Sequence, residues 1–304
     1  MIDEIEHAVD VLRAGGLVAF PTETVYGLGA DAAAPRALAR LYAVKRRPVD
    51  HPVIVHIGRA AQLDDLARDV PPVAHVLAQR CWPGPLTIVV RRRPDRVCAE
   101  ATGGRDTVGL RVPDHPLALA LLDAFGGGIA APSANRFGKV SPTTAQHVRD
   151  DLGADVDLVL DGGPCAVGVE STIVDVSGAE PVILRVGGIG EHELADVVGA
   201  PLARRTAGEI AAPGTLASHY APDARVVLVG AGEVAARAEE LRGDGLEVGV
   251  LDAPDSVAEY ARVLYRRLRE LDEQGVDVIL AVPPDETDGV GAAVTDRLRR
   301  AAAR

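Results

Sequence analysis

Leu17-Val18-Ala19-Phe20-Pro21-Thr22-Glu23-Thr24-Val25-Tyr26-Gly27-Leu28-Gly29 begins as an apolar run and ends as a polar, glycine-marked segment. Leu17 to Phe20 suit a short buried strand, Pro21 ends it, and Gly27 and Gly29 mark a loop of ligand size. Thr22, Glu23 and Thr24 then place two hydroxyls and a carboxylate at the end of a strand. Ahead of this stretch, Ile2, Ile5, Val9 and Leu12 recur at helical spacing among Asp3, Glu4, Glu6 and Asp10, an acidic amphipathic helix. Behind it, Leu38, Leu41 and Tyr42 predict a helix that runs up to Lys45-Arg46-Arg47-Pro48, and Pro52 to Ile57 reads as a strand opened by proline. Further β-type runs occupy Leu86 to Val90, Thr107 to Val112, Leu158 to Leu160, Thr172 to Val176 and Val182 to Val186, with helical patterns near 60–80, 116–125 and 143–152. The expectation is an α/β domain with a twisted sheet of parallel and antiparallel neighbours and flanking helices.

Residues 200–222 change character, with Arg204-Arg205, Ala211-Ala212-Pro213-Gly214 and Ser218-His219-Tyr220-Ala221-Pro222, and read as a linker. Beyond it strand and helix alternate: Arg225 to Val229, Val234 to Leu241, Leu246 to Leu251, Val257 to Leu271 and Val276 to Val282. That is the pattern of a small Rossmann-like βαβ domain. The division expected is 1–198, a linker or lid at 199–223, and 224–304.

Composition narrows the classes. The 304 residues are 47% apolar and 25% charged, an ordinary globular balance. Aromatics at 3% disfavour a binder that stacks single-stranded bases, and a net charge of −12 requires any nucleic-acid contact to rest on a local basic patch. Cys81, Cys98 and Cys165 show no paired spacing and read as free thiols of a reducing compartment. With no export signal and no long uncharged apolar run, a cytoplasmic protein with no membrane contact is expected.

Lys45-Arg46-Arg47-Pro48 is either a cationic helix end or a phosphate clamp. Lys45 and Lys139 are the only lysines among 32 basic residues, so a lysine beside two arginines favours the clamp. Ala131-Pro132-Ser133-Ala134-Asn135 holds the only asparagine, with Lys139 and Ser141 close behind. It is a plain turn or a source of hydroxyl and amide groups for phosphate or ribose. Thr107 and Arg111, four apart on a strand, share a face. His56, between Val55 and Ile57, suits a hydrogen-bonded core histidine. Gly230-Ala231-Gly232-Glu233 between strand and helix, with Asp252 further on, matches a dinucleotide fingerprint in outline, yet such turns need glycine for steric reasons alone. The eight histidines are scattered without zinc-ligand spacing, and no GxSxG elbow or GxxxxGK[ST] loop is present.

In order, Phe20-Pro21-Thr22-Glu23-Thr24-Val25-Tyr26-Gly27-Leu28, Lys45-Arg46-Arg47-Pro48 with His51 to His56, Trp82-Pro83-Gly84-Pro85-Leu86-Thr87, Val108 to Pro113, Pro132-Ser133-Ala134-Asn135 and Glu170 to Asp175 resemble the YrdC-like threonylcarbamoyl-AMP synthases. Pro213-Gly214 and His219-Tyr220-Ala221-Pro222 resemble the linker of their two-domain branch, although Thr215-Leu216-Ala217 stands where that branch commonly has Met-Lys-Tyr. The resemblance implies a nucleotidyltransferase that makes threonylcarbamoyl-AMP and pyrophosphate from L-threonine, bicarbonate or CO2, and ATP, with Mg2+ carried by ATP. It implies neither NAD nor structural zinc, and no metal ligands from protein side chains. It implies Lys45 and Arg47 as catalytic cations. His51, Thr107, Ser133, Asn135, Ser141, Arg185 and Tyr220 join them around ATP, and Thr22, His56, Arg111, Ala131 and Ser171 surround threonine. Tyr220 would close a lid. A downstream threonylcarbamoyl transferase complex would be the partner, with tRNA involved only indirectly. The alternative is a double-stranded RNA or ribosome-associated module of the same fold, using Arg91-Arg92-Arg93 and Arg96.

Overall fold

The computed structural model describes residues 2–205, 213–214, 219–285 and 288–303. Ala211-Ala212, Thr215-Leu216-Ala217 and Ser218 of the expected linker lie outside the described residues. Strands β1 (Val18–Phe20), β2 (Gly27–Asp31), β3 (Ile54–His56), β4 (Ala67–Arg68), β5 (Leu86–Arg92), β6 (Thr107–Arg111), β7 (Ile129–Ala130), β8 (Leu158–Val159), β9 (Thr172–Asp175), β10 (Val182–Arg185) and β11 (Ala203–Arg204) form one mixed sheet. Its order is β11-β10-β9-β5-β6-β3-β7-β2-β1-β8, with β4 paired on β5.

Two-residue alternation sorts the side chains of this sheet. Val53, Val55, Ile88, Val108, Leu110 and Val174 enter a core shared with helices α2 (Pro35–Lys45), α4 (Pro72–Cys81), α6 (Ala145–Leu152) and α7 (Glu191–Val198). On the opposite face, α1 (Ile2–Arg13) and α5 (Pro116–Phe125) cover only the end that carries Val18, Phe20 and Ile129. The middle of that face, with Ile54, His56 and Arg111, forms the floor of a cleft, and Thr87 and Thr107 line a depression beside it.

Two local expectations change. Gly27–Asp31, read as loop, is strand β2, paired antiparallel with β1 in the register Val18↔Gly29. A Cβ on Gly29 would lie 2.9 Å from both Ile129 and Phe20, so glycine here serves close packing inside a strand rather than a turn. The helical pattern at 60–80 is broken into α3 (Leu63–Leu66) and α4 by β4 and by Pro71-Pro72, which disfavour a continuous helix.

The second sheet is parallel, with β12 (Arg225–Leu228), β13 (Val248–Leu251) and β14 (Val278–Ala281) in the order β12-β14-β13. Helices α8 (Val234–Gly243) and α9 (Val257–Glu273) connect these strands, and α10 (Gly289–Ala302), whose glycine-rich start conceals its periodicity, ends the chain. Its core is continuous with the first unit: Val25, Val140 and Val169 pack in one cluster with Tyr220, Leu264, Tyr265 and Leu298. At Gly230 the Glu233 carboxylate accepts from the backbone N–H at 3.0 Å, which places negative charge where a pyrophosphate would approach. Among the described residues no helix is long and apolar enough to cross a membrane.

Candidate active site

Parallel pairing of β3 with β6 sets His56 opposite Arg111, so both side chains rise from the floor of the cleft. Thr22 ties its own turn: Oγ1 donates to the Val25 carbonyl at 2.6 Å and accepts the N–H groups of Thr24 and Val25 at 3.2 Å. The Pro132–Ala134 segment runs beside β2, with Leu28 donating to the Pro132 carbonyl and Ala134 to the Tyr26 carbonyl, each at 2.8 Å. This holds Ser133 on the wall. Opposite it, the Ser171 hydroxyl bonds Thr87 Oγ1 at 2.8 Å. Arg185 donates from Nε and Nη2 to the Ser171 carbonyl at 3.1 and 2.8 Å, and from Nη1 to the Pro213 carbonyl at 2.8 Å. Pro213, Gly214, His219 and Tyr220 complete the lining of the cleft.

The cleft is cationic. Arg47, Arg111 and Arg185 line it against one carboxylate, Glu170, while Glu23 pairs with Arg111 at 2.6 Å from just outside. Burial lowers the Arg47 guanidinium to about 10, which leaves it charged at neutral pH. Burial, then the Arg111 charge, hold His56 well below the ordinary imidazole range, so it is neutral. Its Nδ1 is buried without a hydrogen-bond partner, while its ring meets Phe20 edge-on at 5.9 Å. Burial would raise Glu170, but Arg297 and Arg185 outweigh it and bring the carboxyl to about 2. Fixed guanidinium groups beside hydroxyls and an unpartnered neutral imidazole suit a polyanion held next to a small polar molecule. Among the described residues no cluster of three or more His, Cys, Asp or Glu is placed to hold a metal, and both Glu170 oxygens are engaged by Ser141, Tyr265 and Arg297.

A family model described as "Telomere recombination", covering the Sua5, YciO and YrdC proteins, matches residues 10–187, and one described as "Threonylcarbamoyl-AMP synthase, C-terminal domain" matches 189–303. The chain is 43% identical to the threonylcarbamoyl-AMP synthase of Pyrococcus abyssi, over 98% of this chain and 94% of that protein. The chain belongs to the threonylcarbamoyl-AMP synthase family. The Bacillus subtilis synthase is 41% identical over 98% of this chain and 93% of its own length. A crystal structure of P. abyssi Sua5 complexed with L-threonine superposes with a TM-score of 0.92 at 43% identity, covering 98% and 94% of the two chains.

Of the residues implied by resemblance to the synthases, Thr22, Arg47, His56, Arg111, Ala131, Ser133, Ser171, Arg185 and Tyr220 line the one cleft. Lys45 does not, which differs from the direct phosphate contact expected. Helix α2 ends at Lys45, Arg46 takes a left-handed cap at φ 55°, and Arg47 emerges into the cleft while Lys45 turns inward. There Lys45 Nζ donates to the Ser133 and Asn135 carbonyls, both at 2.5 Å, and burial, then the Arg47 charge, hold its pKa well below the ordinary lysine range. Asn135 Nδ2 donates to the Arg136 and Lys139 carbonyls at 2.8 Å, so Lys45 and Asn135 brace the Ser133 turn from behind. Ser141 donates to Glu170 at 2.7 Å, also behind the wall. Thr107 lies in a neighbouring depression that shares Ile54 and Pro213 with the cleft. His51 stands at the end of an edge-to-face file, His51–Phe137–His219–Tyr220. Lys139, whose role the sequence left open, pairs with Asp223 on the surface.

Sequence reasoning gave no role to Glu170, although it lay inside a quoted motif, nor to Tyr265 and Arg297, whose significance comes from distant partners. The basic run offered for the RNA alternative is engaged. Arg91 pairs with Asp106 and Arg96 with Asp95, Arg92 donates to the Arg105 and Val97 carbonyls, and Arg93 donates to the Asp64 and Ala67 carbonyls. An RNA-binding module is not favoured.

Proposed function

We propose that this chain converts L-threonine, bicarbonate or CO2, and ATP into threonylcarbamoyl-AMP and pyrophosphate, with water released only when the carbon enters as bicarbonate. The observation that carries the reading is a single cleft holding three guanidinium groups beside Thr22, His56, Ser133 and Ser171. Threonine's amine takes up the carboxyl unit to give a carbamate, whose oxygen attacks the α-phosphorus as the bond to the β-phosphate oxygen breaks. Two anions must therefore approach each other, and Arg47 and Arg185 offset the charge on the ATP side while Arg111 forks onto the threonine carboxylate. Thr22, His56 and Ser171 meet the amine and hydroxyl of threonine, and Ser133 and Tyr220 meet the nucleotide. A divalent cation carried on the ATP phosphates would lower their repulsion toward the carbamate. Lys45 acts by bracing the Ser133 turn.

In this reading residues 1–198 form the catalytic domain, 199–223 a lid and 224–304 a companion domain, in a cytoplasmic protein. The lid shields a hydrolysable mixed anhydride from water. Its product passes to a threonylcarbamoyl transferase complex, and tRNA is modified one step later. Mass spectrometry of the product from the three substrates tests the reading. Threonylcarbamoyl-AMP is expected, with pyrophosphate release that needs threonine and bicarbonate together; release unchanged when either is omitted would refute it.

A further inference from the structure

Arg297, on the last helix of the chain, is 1% exposed and has every guanidinium nitrogen engaged. Nε donates to Glu170 Oε2 at 2.7 Å, Nη1 to Asp296 at 2.6 Å, and Nη2 to the Val186 carbonyl at 3.1 Å. Its charge also lies 5.1 Å from the centre of the Tyr220 ring, which is stacked on Tyr265 at 5.7 Å. Tyr265, on α9, donates to the same Glu170 oxygen at 2.8 Å. Glu170 is thus held from one side by two residues of the C-terminal unit and from the other by Ser141. It lines the cleft and is joined directly to Ser171. The backbone there has little room to shift, since a Cβ on Gly187 would lie 2.3 Å from the Glu170 carbonyl oxygen.

We propose that Arg297 is a positioning residue for the reaction, acting through Glu170 on the Ser141–Ser171 wall and through the Tyr220 ring on the lining of the cleft. The C-terminal unit is thereby part of the catalytic device. This inference rests on the function proposed above. The physical reason is that a carboxylate buried this deeply needs a fixed cation: without one it protonates or moves toward water, and the Ser171 wall moves with it. Arg185, Tyr220, Tyr265 and His219 are the other ionisable groups that sense the Glu170 charge. Of these only Arg185 is a cation at neutral pH, and its nitrogens are directed to Ser171 and Pro213.

The test uses the full chain with Arg297→Lys, Arg297→Met and Tyr265→Phe, the last removing one hydroxyl while keeping the ring stack. Folding is followed by circular dichroism and melting, and kcat and KM for ATP and threonine by product formation. Arg297→Met is expected to lose about 100-fold in kcat/KM, the cost of a misplacement of about 1 Å at a reacting centre. Arg297→Lys should recover part of that loss, and Tyr265→Phe should fall between wild type and Arg297→Met while melting near the wild-type temperature. Arg297→Met should also acquire an acid limb in its pH–rate profile near neutrality, as Glu170 loses its cation and takes up a proton. A structural role alone would not produce that limb. Kinetics and pH profile unchanged in folded Arg297→Met and Tyr265→Phe would overturn the proposal and leave the function intact. A wild-type chain that makes no threonylcarbamoyl-AMP would overturn both.

Discussion

Replacing His56 by phenylalanine separates binding from stability at one residue. The imidazole is 3% exposed, neutral, and leaves Nδ1 without a hydrogen-bond partner inside a cleft-lining wall. A buried polar atom with no partner costs about 1–3 kcal/mol, and a ligand group that supplies the partner recovers that amount. Phenylalanine keeps the edge-on contact with Phe20, seen at 5.9 Å and 88°, and removes the nitrogen. His56→Phe is therefore expected to weaken L-threonine by about 5- to 150-fold, the same 1–3 kcal/mol expressed as a ratio of dissociation constants. ATP affinity should be unchanged, and the free protein should be as stable as wild type or more so by about 1 kcal/mol, because the unsatisfied atom is gone. Calorimetric titration with L-threonine, the KM for ATP and a thermal melt together test this. Threonine affinity equal to wild type, or a melting point several degrees lower, would refute the assignment of His56 as a nitrogen held in wait for ligand.

Lys45→Met should destabilise by about 2 kcal/mol, because two buried carbonyls lose their donor while the cost of burying an ammonium is relieved. A chemical-denaturation midpoint equal to wild type would show that the amine is not held there. Gly214→Ala should cost about 1–2 kcal/mol locally from its φ of +75° and drive a Cβ to 2.2 Å from the Tyr220 hydroxyl. Turnover should fall, and full activity would refute a role for the Gly214–Tyr220 contact in shaping the cleft. Acid should destabilise the fold through two groups. Glu170, at about 2 against 4.5, contributes stability that is present above its ordinary value and lost as pH falls from 4.5 toward 2. His219, held neutral at about 3 against 6.5 by burial, makes the unfolded chain the better proton acceptor, so stability also falls from pH 6.5 downward. Urea midpoints that rise from pH 6 to pH 5 would contradict the His219 prediction, and midpoints that rise from pH 4 to pH 3 the Glu170 one.

Part of the cleft was legible from the residues themselves, Thr22 at a strand end and Arg111 on one face of a strand, whereas His56, Ser171, Arg185 and Tyr220 entered the site only through the resemblance to the synthases. Thr107 and Arg111 do share a face of β6, although Thr107 opens onto the adjoining depression rather than the main cleft. Lys45 and Arg47 show the limit. Two residues apart in one basic motif, they part company because α2 ends between them and a left-handed Arg46 reverses the chain, so one braces a turn and the other lines the site. Gly27 and Gly29 read as loop because glycine signals both turns and close strand contacts, and only the neighbours Ile129 and Phe20 distinguish the two.

The sequence by itself determined the α/β class, a second small α/β unit and the family motifs, because these reside in local periodicity and in short ordered segments. Which face of the sheet stays open, and the pairing of Glu170 with Arg297 across 127 residues, were decided only by the tertiary structure. Helical spacing with Val294 and Ala301 puts Arg297 on the apolar stripe of its helix, but nothing local shows which carboxylate it meets there. Burial against a carboxylate that arrives from another unit makes it a fixed cation, and that burial is a property of the assembled fold.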